Sequence, residues 1–288
     1  MTLVQLIPIV IQLSMALSIF CVGLNARFED LTYVTTTPGL LVRSLLAMNV
    51  IMPAVAVVAA VLFDLSVVVE VALVAMALSP IPPILPHKEI EAGGAPSYIL
   101  GLMVATALLS ILFVPVVATL LGKIFGRPVH VVPGDVAKIV LTSILLPLLA
   151  GVCVKRLSRA AASRIARPLS IIASLLLVAA FVPVLIAQRH AFAALVGNFT
   201  LLAIVMFVVI GLAVGHLLGG PHPDDRTVLA LSTATRHPAV AMAVVHESQD
   251  KHAILAVILL VLLLGGLVSA PYVKWRRRAH GAVRPAHS

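Results

Sequence analysis

Ser232-Thr233-Ala234-Thr235-Arg236-His237-Pro238-Ala239 interrupts an otherwise apolar stretch at residues 227–247, with its arginine almost midway between the ends. About 20 apolar residues suffice to cross the hydrocarbon core as a helix. A cation at the centre of such a helix costs about 3 kcal/mol on insertion scales. Arg236 must therefore face protein or water and have a partner. Pro238 lacks a backbone N–H and frees a carbonyl one turn earlier, near Ala234, so the helix is expected to break here. Ser232 and Arg236, four residues apart, share a helix face. Thr233, Thr235 and His237 add polar groups around them, and all five are expected to line a binding site. The plainer alternative is a structural arginine paired to helix C-terminal carbonyls.

A second break is written into Ser79-Pro80-Ile81-Pro82-Pro83-Ile84-Leu85-Pro86. Four prolines in seven residues cannot form a regular helix, since each removes a donor and clashes with the preceding turn. Carbonyls freed at membrane depth persist only where protein or a wet cavity satisfies them, which makes Ser79 a further site candidate. Alternatively, the helix simply ends near Pro80 to Pro86 and His87-Lys88-Glu89 begins a loop.

The rest of the chain says what these breaks interrupt. Its 288 residues are 61% hydrophobic and 11% charged, against about 45–50% and about 25% in ordinary globular chains. That excludes a soluble fold. Cys21 and Cys153 both lie in apolar runs, which excludes a disulfide scaffold. The apolar start has no basic region and no small-residue cleavage site, so the first run is expected to remain as a span. Nine spans are predicted, near 3–24, 39–62, 67–92 (interrupted), 97–121, 136–154, 169–187, 193–217, 227–247 (interrupted) and 253–273. Residues 1–278 then form one transmembrane domain, with a basic tail at 279–288.

Nine spans sort the loops onto two sides. Of the 20 Lys and Arg, fourteen fall on one side, including Arg27, Arg43, Lys88, Lys155, Arg226 and Arg284; Lys123, Arg127, Lys138, Arg189 and Lys251 fall on the other, and Arg236 remains inside. The basic-rich side is expected to be cytoplasmic, with the N-terminus outside. The net charge of +9 is thus a topology signal and no sign of nucleic-acid binding. Trp275 with Arg276-Arg277-Arg278 reads as an interfacial anchor.

The two breaks occupy matching places in two halves, residues 1–121 and 136–273, which are expected to be inverted repeats. Broken helices at corresponding positions point to a carrier's binding site. Half-helix N-termini at the midplane would present positive dipole ends. With Arg236 and His237 they suit an anion such as a carboxylate. Asn49, mid-span before Met52-Pro53, either lines the cavity or bridges helices. Thr106 and Ser110 are expected to serve helix packing, His216 to snorkel at an end, and Asp64 and Glu70 to be solvated. His246-Glu247 does not extend to a zinc-binding H-E-x-x-H pattern. With no nucleophile–base or metal constellation, neither an enzyme nor a cofactor is expected.

At these motifs the chain resembles the bile acid:sodium symporter family. Ser18-Ile19-Phe20-Cys21-Val22-Gly23-Leu24-Asn25-Ala26-Arg27-Phe28-Glu29-Asp30 resembles the family's Met-Gly-Leu-x-Leu-x-x-x-Asp-Phe end of an early span. Asn49-Val50-Ile51-Met52-Pro53 resembles its Phe-x-Ile-Met-Pro stretch, and the two breaks fall where the family has two crossing, unwound helices. The family usually has ten spans, and on this resemblance the chain would lack the first. The resemblance implies an all-α integral membrane fold of about nine helices. A panel (spans 1, 5 and 6) would face a core (spans 2, 3, 4, 7, 8 and 9), with substrate between them and alternating access by rocking. It also implies a bacterial inner membrane.

The departures concern sodium. Of the family's Cys-Pro-Gly-Gly-Thr-Ala-Ser-Asn crossover only Pro80 is kept. Ser232 and Arg236 stand where its second crossover has Glu and Gln, and Ile99 and Met103 stand at its following-span positions. Hard cations need oxygen ligands, so sodium is not expected at the family positions. The expectation is a small-organic-anion carrier in which Arg236 supplies fixed charge, either as a uniporter or coupled to protons through His237. Alternatives are a sodium-coupled symporter with displaced ion sites, an auxin-efflux-like exporter and a non-transporting scaffold or receptor.

Overall fold

Prolines set where the helices start. The computed structural model describes residues 3–63, 65–126, 129–195, 199–246 and 248–283. Asp64, Arg127, Glu247 and Arg284, assigned above to loop, motif or tail roles, lie outside them. Helix α1 is Leu3–Asn25, and two single turns lead to α2, Pro38–Leu62. Then come α3 (Val67–Leu78), α4 (Leu85–Glu91), α5 (Pro96–Ile124), α6 (Pro133–Leu157), α7 (Arg159–Ala187) and α8 (Arg189–Leu195). The chain finishes with α9 (Thr200–Leu218), α10 (Pro223–Ala234), α11 (Pro238–Val244) and α12 (Lys251–Val283). Proline sits in the first turn of α2, α4, α5, α6, α10 and α11. There its missing N–H is unneeded and its fixed φ suits the helix.

Among the described residues, six helices are long and apolar enough to cross a membrane; α1, α3 and α10 occupy the places of the other three expected spans. α3 and α10 have 12 residues each, about 18 Å of rise against a hydrocarbon core of about 30 Å. Each stops part-way. Three boundaries differ from expectation. α7 begins ten residues before 169, because Ser158 caps it by accepting from the Ala161 N–H at 3.2 Å and its charged first turns carry no apolar run. Span 7 starts at Thr200 and not near 193, with α8 a separate turn before it. α12 continues to Val283, so the first residues assigned to a tail are helical.

Packing forms two groups, joined where α6 lies against α5 and α11. α1, α6 and α7 pack on one another. A Cβ on Gly151 would collide with the Phe20 carbonyl and one on Gly23 with that of Leu148, so bare glycines let α1 and α6 cross backbone to backbone, as small residues do in membranes. α7 buries only Ala162, Ala173 and Ala180 and exposes Ile171, Leu175, Val178, Val182 and Ile186. In the other group α3, α5, α9, α10 and α12 surround the two breaks. α9 holds α10 through Gly211, Gly215 and Gly219. At one end, Arg276 donates to Thr227 Oγ1 (2.7 Å) and the Pro223 carbonyl (2.9 Å), Arg277 pairs with Glu91 at 2.5 Å, and His280 lies 3.5 Å from Asp224. Arg276 is therefore a buried tie between α12 and α10, not a lipid anchor. His216 does not snorkel; its Nδ1 meets the Tyr272 hydroxyl at 2.8 Å.

Candidate functional site

The two breaks meet. α3 ends at Leu78, and Ser79 turns to extended backbone at φ −78°, ψ 153°. The chain stays non-helical until Leu85. α10 ends at Ala234, and Thr235 is extended at φ −121°, ψ 136°. The His237 N–H donates to the Pro80 carbonyl at 2.9 Å, joining the two unwound segments. Both segments interrupt a helix, since α4 and α11 resume after them.

Arg236 is 2% exposed. Its Nη1 donates to the Ser79 carbonyl at 3.3 Å and its Nη2 to the Met48 carbonyl at 3.0 Å, while Nε has no partner. Each acceptor has a reason to be free. Residues 46–51 form a π-helical segment within α2, in which the Met52 N–H donates to Ala47 five residues back. The next donor in that register, at Pro53, does not exist. The Met48 carbonyl is thereby orphaned inside the membrane, where an unmet acceptor is costly. Pro83 likewise offers Ser79 no helical donor. Arg236 thus answers one carbonyl at the C-terminal end of α3 and one in the widened turn of α2, and its charge meets no half-helix N-terminus.

His237 is fully buried. Its Nε2 lies 3.3 Å from Ser143 Oγ on α6, in a second π-helical segment, Leu141–Leu145. The Ser143 hydroxyl donates to the Ile139 carbonyl at 2.6 Å, so it accepts from Nε2–H, and Nδ1 is buried without a partner. This contact carries the crossing across to the α1–α6–α7 group. Ser143 was not legible as a site residue; Leu146-Pro147, repeating Met52-Pro53 after a π turn, is the only local hint.

Ser232 is also buried, and its Oγ donates to Glu89 Oε1 at 2.6 Å. Thr233 is buried with Oγ1 unpartnered, as is Asn49 Oδ1, and Thr235 is half-buried. Ser79 gives its hydroxyl to the Met76 carbonyl at 2.7 Å and contributes only its backbone oxygen to Arg236. The structure therefore brings Ser79, Arg236 and His237 together, with Asn49 one residue from the Met48 carbonyl; because α10 ends at Ala234, Ser232 shares no helix face with Arg236 and meets Glu89 instead. Glu89 is the residue sequence reasoning missed, having counted it with a polar loop. Beside the crossing, Val74, Ala75, Leu78, Val244 and Glu70 line a mostly apolar cavity of about 80 Å³; Glu70 is thus not simply solvated. Thr106 and Ser110 bond back to carbonyls of α5.

The crossing can do two things chemically. It holds one fixed cation between oxygen acceptors, and it links the two packing groups through one imidazole. No group of three or more His, Cys, Asp or Glu able to hold a metal occurs among the described residues. No curated protein matches the chain. The sequence does match the family described as Sodium Bile acid symporter family over residues 12–195, which takes in α1 to α8 and the first break and stops short of Arg236. A match over well over half the chain means that it belongs to this family of membrane transporters of the bile acid and organic-anion type.

Proposed function

We propose that the protein is a sodium-independent secondary transporter that moves a small organic anion by alternating access. One observation carries this reading: Arg236, buried at 2%, spans from α11's start to carbonyls of both α2 and the first break. A cluster of inward-facing carbonyl oxygens is what a hard cation seeks. Here a guanidinium fills it permanently, so no dissolved ion is needed to supply the charge. Its free Nε leaves a donor for a carboxylate or sulfonate, and charge-assisted bonds of that kind are strong. His237 and Ser143 sit where substrate would part the two packing groups. Fourteen basic residues on one side against five on the other favour an inner-membrane protein with its N-terminus outside.

A second reading has its own support. Both carbonyl partners of Arg236 are satisfied without any ligand, as in a structural staple that never meets substrate. One experiment separates the two. Taurocholate, permanently charged and so slow to leak, is loaded against proteoliposomes in sodium or potassium buffer. The transporter reading expects uptake equal within about twofold in the two buffers, because a fixed charge needs no ion. It further expects Arg236→Lys to retain weakened uptake and Arg236→Ala to abolish it. Sodium-stimulated uptake, or Arg236→Ala with unchanged affinity, sinks it.

A further inference from the structure

Glu89 is fully buried. Oε1 accepts from the Ser232 hydroxyl at 2.6 Å, and Oε2 is buried with no partner. α10, α5 and α12 pack against its helix; Lys123, Lys274 and Arg278 on them are exposed, and Arg226 donates to the Gly220 carbonyl at 2.6 Å. On α12, Arg276 binds Thr227 and Pro223, Arg277 binds Glu91, and His280 lies against Asp224. On α10, Asp225 is acidic; on α5, the Tyr98 phenol lies within electrostatic range of both Glu89 and Asp225 and is bonded to Ser44 at 2.7 Å. On Glu89's own helix, His87 meets Ser170 at 2.9 Å and Lys88 is exposed. Glu89 thus has no ion-pair partner among the described residues, and its acidic surroundings offer none.

An isolated carboxylate in a dry interior is not tolerated; it binds a cation or a proton. A metal would need several oxygen ligands, and the one hydroxyl in contact points its hydrogen at the carboxyl. We propose that Glu89 is the coupling-proton site of this carrier, its free Oε2 binding one proton while the crossing is closed. This rests on the transporter reading above and moves the proton from His237, whose ring is held by Ser143, to the opposite break. Oε2 takes the proton from water when the cleft opens to one side and returns it to water when it opens to the other. Only an O–H bond forms and breaks. Glu89 and Ser232 lie on different half-helices, α4 and α10, so a shift of α4 against α10 removes the carboxyl's one donor and changes its hold on the proton.

The test uses the full-length protein in detergent, treated with dicyclohexylcarbodiimide, which attacks protonated carboxyls in apolar surroundings, and then peptide mass spectrometry. The adduct is expected on Glu89 in acid buffer, to fall roughly tenfold in alkaline buffer as the proton leaves, and to vanish in Glu89→Gln. Glu89 unlabelled, or labelled equally in both buffers, overturns the proposal. In proteoliposomes holding a pH-sensitive dye, taurocholate should move acid with wild type and none with Glu89→Gln. Taurocholate transport without acid movement in wild type, or acid movement persisting in the variant, also overturns it. A chain that moves no taurocholate defeats the transporter reading instead, and the labelling then decides the proton site by itself.

Discussion

The two breaks divide labour by hydrogen-bond sign. The first, rich in proline, presents acceptors: the Ser79 and Pro80 carbonyls and the Glu89 carboxyl. The second presents donors: Arg236, the His237 N–H and the Ser232 hydroxyl. Every bond between them found here runs from the second to the first. Proline explains the asymmetry, because it deletes N–H groups and leaves carbonyls behind. A sequence that breaks one helix with four prolines must recruit its donors from the other break. The lesson is that crossing, unwound helices need not be chemically equivalent even when they occupy matching places.

Three substitutions probe that division. The largest effect is expected where the donor break is positioned. A Cβ on Gly215 would meet the Leu229 carbonyl and Ala230 backbone of α10, and backbone cannot step aside. Gly215→Val should cost on the order of 3 kcal/mol through overpacking, lowering the thermal midpoint in detergent well below that of Gly39→Val, where open space surrounds the new side chain. A midpoint equal to the control would mean that α10 is not held from behind. Ser232→Ala comes next. It strips the donor from a buried carboxyl oxygen, and about 1–2 kcal/mol should be lost in chemical unfolding; no loss would remove one of the three donor-to-acceptor bonds from the comparison. Ser143→Ala is the mildest. Its bond to His237 is long and joins the break to α6 rather than to its counterpart, so under about 1 kcal/mol is expected. A larger loss would make the panel contact, not the crossing, the stronger tie.

Much of this was readable beforehand, for physical reasons. A lone arginine in an apolar run and clustered prolines cannot sit in a regular membrane helix, so both breaks were fixed in position. The bland alternative for Arg236, carbonyl pairing, describes its observed contacts, while its role toward substrate is still the proposal. Glu89 was lost because His87-Lys88-Glu89 reads as solvent-facing. Yet Pro86 restarts a helix in which Leu85, Pro86 and Glu89 turn inward while His87 and Lys88 turn outward, the three- and four-residue spacing of one helix face. The π segments were invisible because a single widened turn leaves apolar periodicity almost unchanged. The spacing Gly211, Gly215, Gly219 is a small-residue seam of the kind that lets membrane helices approach closely. Apolar runs also misplace helix ends that are charged, as at Arg159 and Val283.

Helix α7 has a final implication. Its 29 residues rise about 43 Å, well beyond a hydrocarbon slab of about 30 Å, and a surplus of that kind is accommodated by leaning or by standing proud into the headgroups. Its protein side is a seam of three alanines laid along α1 and tied to it by the Ser14 hydroxyl, which donates to the Ala173 carbonyl at 2.8 Å. The surplus includes its charged start, where Arg159, Arg164 and Arg167 suit headgroup phosphates, so a change in bilayer thickness would act on α1 and α7 together.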